Sequence, residues 1–325
     1  IAMGFQAMRD IKNGAHNIAI GQNSMLQAAS DTTDQTLNNT AIGQNTLREV
    51  TSDHNVAIGY NAGRYITTSQ YNIGIGVNAI RGDSSSKLTG TGRNVAIGYE
   101  AMAQGYTTGR YNVAIGFDAM ATGTTASGNT AIGYAAMENA ATTTEHNVAV
   151  GWYAGREAMG NHNTIVGSEA HRGVVSTSTG QQNVAIGRQA LYAQTTSSYN
   201  VAVGYQAADS LTTGGSNTAV GWKALAVSST GSQNVALGYE SLLNAAKVYN
   251  VGLGYRAGRE LTTGERNTII GHEAGYNAST LGSSTIIGQQ AGYNVSGAAD
   301  AVYIGRSAGY FVSGTKNTFL GTSAG

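Results

Sequence analysis

The 325-residue chain contains no cysteine, no proline, no net charge and no uninterrupted apolar run of 18 residues. Without cysteine it forms neither a disulfide nor a thiolate metal site. Without proline every backbone N–H is available, as a chain built on continuous ladders would need. The 18 basic side chains balance 18 acidic ones, so no global field draws it to nucleic acid or an anionic membrane. Only 11% of residues are charged and 7% aromatic. That composition, with no long apolar run, excludes a membrane-spanning helix. Nor is the chain disordered, because apolar residues recur in it with strict regularity.

What fills the chain is a repeat. Nearly the same five letters, Asn-Val-Ala-Ile-Gly, occur 19 times, ending at Gly4, Gly21, Gly43, Gly59, Gly76, Gly98, Gly116, Gly133, Gly151, Gly167, Gly187, Gly204, Gly221, Gly238, Gly254, Gly271, Gly288, Gly305 and Gly321. Most intervals are 16 to 18 residues; two are 22 and one is 20. A period of this size predicts stacked coils, each a copy of one unit. The expectation is an all-β parallel solenoid of about 18 coils, one elongated domain over 1–325, cut from a longer fibre chain with no signal peptide, anchor or cap in view. At about 4.8 Å per coil the stack would be roughly 85 Å long.

Numbering the unit from Asn to the marker Gly, position two is Val, Thr or Ile and position four is Ile, Val or Leu after Met3 in the first copy. This alternation reads as a short strand with those two residues in the core. Position three, mostly Ala, would then face outward, and its small size predicts close cover by a second subunit. It grows to Ile269, Ile286, Tyr303 and Phe319 near one end, where that cover would stand further off. Position one is Asn in 16 of 18 copies, Ser284 and Ala301 excepted. Asn55, Asn94, Asn112, Asn147, Asn183, Asn200 and Asn234 are expected to form a side-chain ladder rather than simple turns. The marker glycines, among them Gly59, Gly98, Gly116, Gly151, Gly187, Gly204 and Gly238, would supply positive φ or a close backbone approach. Three residues beyond the Gly stands Ala in 16 of 19 copies, then one inward apolar residue. Polar turns such as Leu211-Thr212-Thr213-Gly214 and Tyr106-Thr107-Thr108-Gly109 close the coil, and the extra residues around Asp31–Asn38 and Asp83–Arg93 fall there.

Asn94-Val95-Ala96-Ile97-Gly98-Tyr99-Glu100-Ala101-Met102 and its copies resemble the head repeats of trimeric autotransporter adhesins. With the Thr-Thr-Gly turn they are also similar to repeats of phage tail fibres and spikes. The resemblance spans essentially the whole chain, although the adhesin unit is a few residues shorter. It implies a left-handed parallel β-roll, a side-by-side homotrimer, and an extracellular, cell-surface or virion location. The implied role is adhesive or spacing, with a host-surface glycan or receptor as a further partner. It carries over no catalytic residue.

The residue after the marker Gly is aromatic in ten copies, including Tyr99, Phe117, Tyr134, Trp152, Tyr205, Trp222, Tyr239 and Tyr255. Such a strip either stacks on sugar rings or packs on itself or across an interface. His16, His54, His146 and His162 precede the repeat Asn, where other coils carry Tyr, Arg or Gln; that interchange describes a solvated row rather than a metal site. Asn38, Asn277 and Asn294 stand in glycosylation sequons. Adjacent Thr-Thr pairs point opposite ways, which disfavours an ice-binding array. Motifs for nucleophilic hydrolysis, phosphate loops, HExxH and calcium nonapeptides are lacking. The sequence therefore predicts a non-catalytic structural fibre without cofactor or metal, with a phage tail fibre or a glycan-binding module as the alternative. No nucleic acid and no membrane insertion are expected.

Overall fold

A computed structural model describes residues 1–12, 14–26, 36–85, 87–90, 92–104, 108–123, 125–139, 143–158, 160–173 and 178–325. The chain is an all-β parallel solenoid of about 17 turns with a repeat near 17 residues, and no helix occurs among the described residues. Tyr106 and Thr107 of one predicted turn, and residues 31–35, 86 and 91 of the two long corners, lie outside the described residues.

Two stretches divide the contacts, Ile1–His162 and Asn163–Gly325. In the first, β1 (Ala2–Met3), β2 (Ile18–Ile20), β3 (Thr40–Ile42), β4 (Val56–Ile58), β5 (Ile73–Ile75), β6 (Val95–Ile97), β7 (Val113–Ile115), β8 (Thr130–Ile132) and β9 (Val148–Val150) pair in parallel, each with the next. The register puts position three of each strand on position three of the next, Ala19 on Ala41 and Ala41 on Ala57. In the second stretch the same ladder runs through β10 (Thr164–Val166), β11 (Val184–Ile186), β12 (Val201–Val203), β13 (Thr218–Val220), β14 (Val235–Leu237), β15 (Val251–Leu253), β16 (Thr268–Ile270) and β17 (Thr285–Ile287). It then continues through β19 (Val302–Ile304) to β21 (Thr318–Leu320). A second parallel pair, β18 (Asn294–Ser296) and β20 (Phe311–Ser313), forms on the opposite wall of the last coils.

The strand faces are the reverse of the sequence expectation. Position three is the interior residue: Ala19, Ala41, Ala57, Ala96, Ala185, Ala202, Ala219 and Ala236 are fully buried. Positions two and four point outward, half-buried or exposed, as in Val235 (42%) and Leu237 (44%). Small Ala therefore needs no second subunit to cover it. In most coils the wall opposite already sends in an apolar side chain four residues after the marker, leaving little room at the strand centre. Met25, Leu47, Ile80, Met102, Met120, Met137, Leu191, Leu225 and Leu242 are these residues, all buried. Close packing then limits the strand centre to Ala. Ile165 and His171, both large and both fully buried in one coil, are the exception.

The growth to Ile269, Ile286 and Tyr303 is likewise internal, because all three are fully buried. In those coils the opposing residue shrinks to Gly275, Gly292 and Gly309. A Cβ on Gly292 would lie 2.9 Å from Ile286 Cδ1, and one on Gly309 2.9 Å from Tyr303 Cδ1. Ile80 shows the trade in reverse: it faces Gly74, whose added Cβ would meet Ile80 Cγ2 at 2.6 Å.

Each coil turns on left-handed residues even where they are not glycine, such as Glu240 (φ 51°), Leu242 (47°) and Tyr249 (62°). Each such residue is disfavoured by roughly 1 kcal/mol or more, and persists only where its surroundings fix it. Here the fixing is axial: the three amides donate to Trp222, Ala257 and Ser232 carbonyls at 2.9, 2.9 and 3.3 Å.

Candidate functional site

Three columns of predicted residues are laid out by this stacking. The repeat Asn side chains lie buried inside the coil edge and bond along the axis. The Oδ1 atoms of Asn39, Asn55, Asn72 and Asn94 accept from the amides of Asn55, Asn72, Asn94 and Asn112 at 2.9 to 3.2 Å. Asn112 and Asn129 continue this to Asn147. In the second stretch Asn183, Asn200, Asn217 and Asn234 accept from the amides of Asn200, Asn217, Asn234 and Asn250 at 2.9 Å each. Their Nδ2 groups donate to corner carbonyls, Asn217 to Gly231 at 2.8 Å and Asn147 to Gly160 at 3.0 Å. Both ends of the amide are used, as a buried polar group requires.

The marker glycines form the second column. Gly59, Gly98, Gly116, Gly151, Gly187, Gly204 and Gly238 have φ between 128° and 139°. A Cβ on Gly98 would also sit 2.3 Å from the Gly116 carbonyl oxygen. Left-handed geometry and close approach coincide at this corner, so no other residue fits it.

The aromatic strip is the third. Tyr99, Phe117, Tyr134 and Trp152 stack with centroids 4.9, 5.2 and 6.4 Å apart. Tyr205, Trp222, Tyr239 and Tyr255 stack at 6.0, 4.6 and 5.2 Å, and His272 extends them at 5.0 Å. Cations flank the rings: Lys223 Nζ lies 4.7 Å from the Trp222 centroid and Arg256 lies 4.9 Å from that of Tyr255. Tyr99, Phe117, Tyr134, Trp152, Tyr239 and Tyr255 remain 37–48% exposed and Tyr205 and Trp222 are half-buried, but each ring turns its faces to its neighbours and its edge to solvent. A pyranose stacks on a ring face, and these faces are taken along the column.

The outer row contains His54 on Tyr71 at 4.8 Å and His146 on His162 at 5.2 Å with planes 6° apart. Parallel stacked imidazoles cannot aim two lone pairs at one ion. Among the described residues no group of three or more His, Cys, Asp or Glu could hold a metal. Corner threonines also bond axially, Thr195 and Thr212 Oγ1 donating to Thr212 and Ser229 carbonyls at 2.9 Å.

Some groups were not anticipated from sequence. A second ladder, Tyr276, Tyr293 and Tyr310, stacks at 5.2 and 5.0 Å; a tyrosine five residues after three successive markers was its available signal. His171 occupies the interior site where other coils carry Leu or Met. Burial drives its pKa down to about 4, against a contact of Nε2 with Gln194 Oε1 at 2.5 Å. Glu240 feels burial pushing its pKa up, yet bonds from Arg259 and Arg256, each 2.8 Å, outweigh that and hold it low. Burial raises Asp209, and raises Asp118 with help from Glu100 and Glu138.

Among the described residues no helix is long and apolar enough to cross a membrane. Searches for a matching family model, curated protein or solved structure find none.

Proposed function

We propose that this chain is a non-catalytic structural segment of an extracellular fibre, an adhesin head or stalk or a phage tail-fibre shaft, in which three copies lie side by side. Its work is to project and space a recognition function. The observation that carries the reading is the outward face of the sheet. Coil after coil presents two aliphatic or Thr side chains there and no charge, from Ile97 and Ile132 to Val235, Leu237 and Leu253, each 36–44% exposed. A sheet face meant for water alternates polar residues outward, whereas this one keeps β-branched apolar columns at register. The interior is already filled by the chain itself, so these columns are free for another copy. A self-complementary repeated surface also extends its contact with every added coil.

Sedimentation analysis of the chain tests this. The expected species has three times the 33.3 kDa chain mass. Val235→Glu combined with Leu237→Glu, placing charge on the face, should shift it towards monomer with strand content retained. A wild-type chain that stays monomeric at micromolar concentration refutes the reading.

A further inference from the structure

Five residues after the marker Gly most coils carry a long side chain: Arg48, Arg64, Arg81, Arg156, Tyr192, Arg259 and Tyr276 are examples. Coil 221–237 carries Ala226 instead. The step down opens a groove of about 350 Å³ in the second stretch, with Ala226 and Leu243 on its floor and Val227 on its rim. Val227 is 57% exposed, whereas Ala226 and Leu243 are buried.

The polar wall is diverse and held in place. Lys223 is pinned over Trp222, and Glu240 is clamped by Arg256 and by Arg259, which also pairs with Glu260. Gln206 is held by a bond from its Nε2 to Gln189 Oε1 at 3.0 Å. Asp209 lines the groove together with Lys223 and accepts from Ser210 Oγ at 3.3 Å. The floor is stiff, because the Ser210 and Val227 amides donate to the Ala226 and Leu243 carbonyls of the next coils at 3.1 and 2.9 Å. Acids and bases lining the groove balance closely, so it does not select for a net charge.

We infer that this groove is a binding subsite for a neutral saccharide. A pyranose offers an apolar C–H face to Ala226, Leu243 and Val227. Its hydroxyls both donate and accept, which suits a wall of carboxylate, amide, ammonium and guanidinium groups. The partly desolvated Asp209 carboxylate gains most from a hydroxyl donor, since burial already works against its charge. The site differs from the aromatic strip: the sugar would rest on an aliphatic floor beside the column, where no ring face is needed. It is independent of the fibre reading.

Saturation-transfer NMR on the whole chain tests it, with methyl glycosides of glucose, galactose, mannose and N-acetylglucosamine as probes. The wild type should transfer saturation to the ring protons of at least one probe. Ala226→Tyr, which fills the notch with the residue used at Tyr276, should weaken that binding at least tenfold with an unchanged thermal midpoint. Asp209→Asn, an isosteric change, should weaken it several-fold and decides the matter should Ala226→Tyr misfold. No transfer to any probe in the wild type overturns the proposal. So does undiminished transfer in a folded Ala226→Tyr chain.

Discussion

Truncating one rung of the Asn ladder isolates what the amide contributes. In Asn217→Ala the Asn234 amide loses its acceptor, 2.9 Å away, and the Gly231 carbonyl loses its donor, 2.8 Å away. Asn217 is 1% exposed, so water does not readily replace either partner. A buried group left unpaired costs about 1–3 kcal/mol, so two give roughly 2–6 kcal/mol. Asn217→Ser should cost about half as much, for a reason the chain itself supplies. Ser284 stands in the same column and its Oγ still accepts from the Ala301 amide at 3.2 Å. Asn217→Asp keeps the acceptor but turns a carboxylate oxygen towards Gly231 O. At neutral pH it should be at least as damaging as Ala.

Repeat chains open locally, so one global midpoint underreports a single rung. The decisive assay is amide hydrogen exchange at Asn234, supported by urea unfolding. Protection should fall in the order wild type, Ser, Ala, with Asp rising towards wild type as pH drops and its carboxyl takes a proton. Equal Asn234 protection in wild type and Asn217→Ala, with unfolding within about 0.5 kcal/mol, would refute the ladder as a source of stability.

Acid should act through His171. Its folded pKa, about 4, lies below the ordinary 6.5, so the unfolded chain binds the extra proton. Stability is therefore full above pH 6.5 and is lost as pH falls towards 4, by about 3 kcal/mol at most. Urea titrations from pH 7 to 4.5 should show this loss in the wild type. It should be absent from His171→Leu/Gln194→Leu, which uses residue types that other coils place there; equal pH slopes would refute the assignment. The interior size trade should appear as coupling: Gly74→Ala alone forces its Cβ onto Ile80 Cγ2 and should cost about 1–3 kcal/mol. Adding Ile80→Met recreates the neighbouring Ala96–Met102 pair and should recover most of it, whereas additive losses in the double-mutant cycle would refute the pairing.

The period, the strand and the corner glycine were legible because each repeats a local requirement: alternation, pairing and positive φ. Which face is inside was not, because side-chain hydrophobicity points to the wrong one. Val and Ile are the more apolar residues, yet in most coils the interior holds one large side chain, and Leu47 or Met102 supplies it from the opposite wall. The sequence did hold the answer in another form. Large residues at Ile269, Ile286 and Tyr303 face Gly275, Gly292 and Gly309, whereas Gly74 faces Ile80. That reciprocity within one chain marks position three as half of an interior pair. Gly252 and Gly258, both small, sit between Leu242 of the preceding coil and Ile269 of the following one. An added Cβ there would meet Leu242 at 2.5 and 2.8 Å, so this coil is where filling passes from one wall to the other.

Stacking settles the chemistry still open to a partner. In each column the repeating group tends to satisfy itself along the axis: Asn amides bond to the next coil, Thr hydroxyls donate to its carbonyls, and rings cover one another's faces. A column in which every coil is alike thus has little left to offer sideways. Two kinds of surface escape this. Aliphatic side chains at positions two and four have no axial bond to make and still expose area, which suits a second copy that repeats at the same pitch. The other kind arises only where a column changes identity, as at Ala226 between Asp209 and Leu243, because the neighbours then lose the side chain that would have lain against them. Recognition of anything that does not share the coil's period should therefore be sought at such breaks.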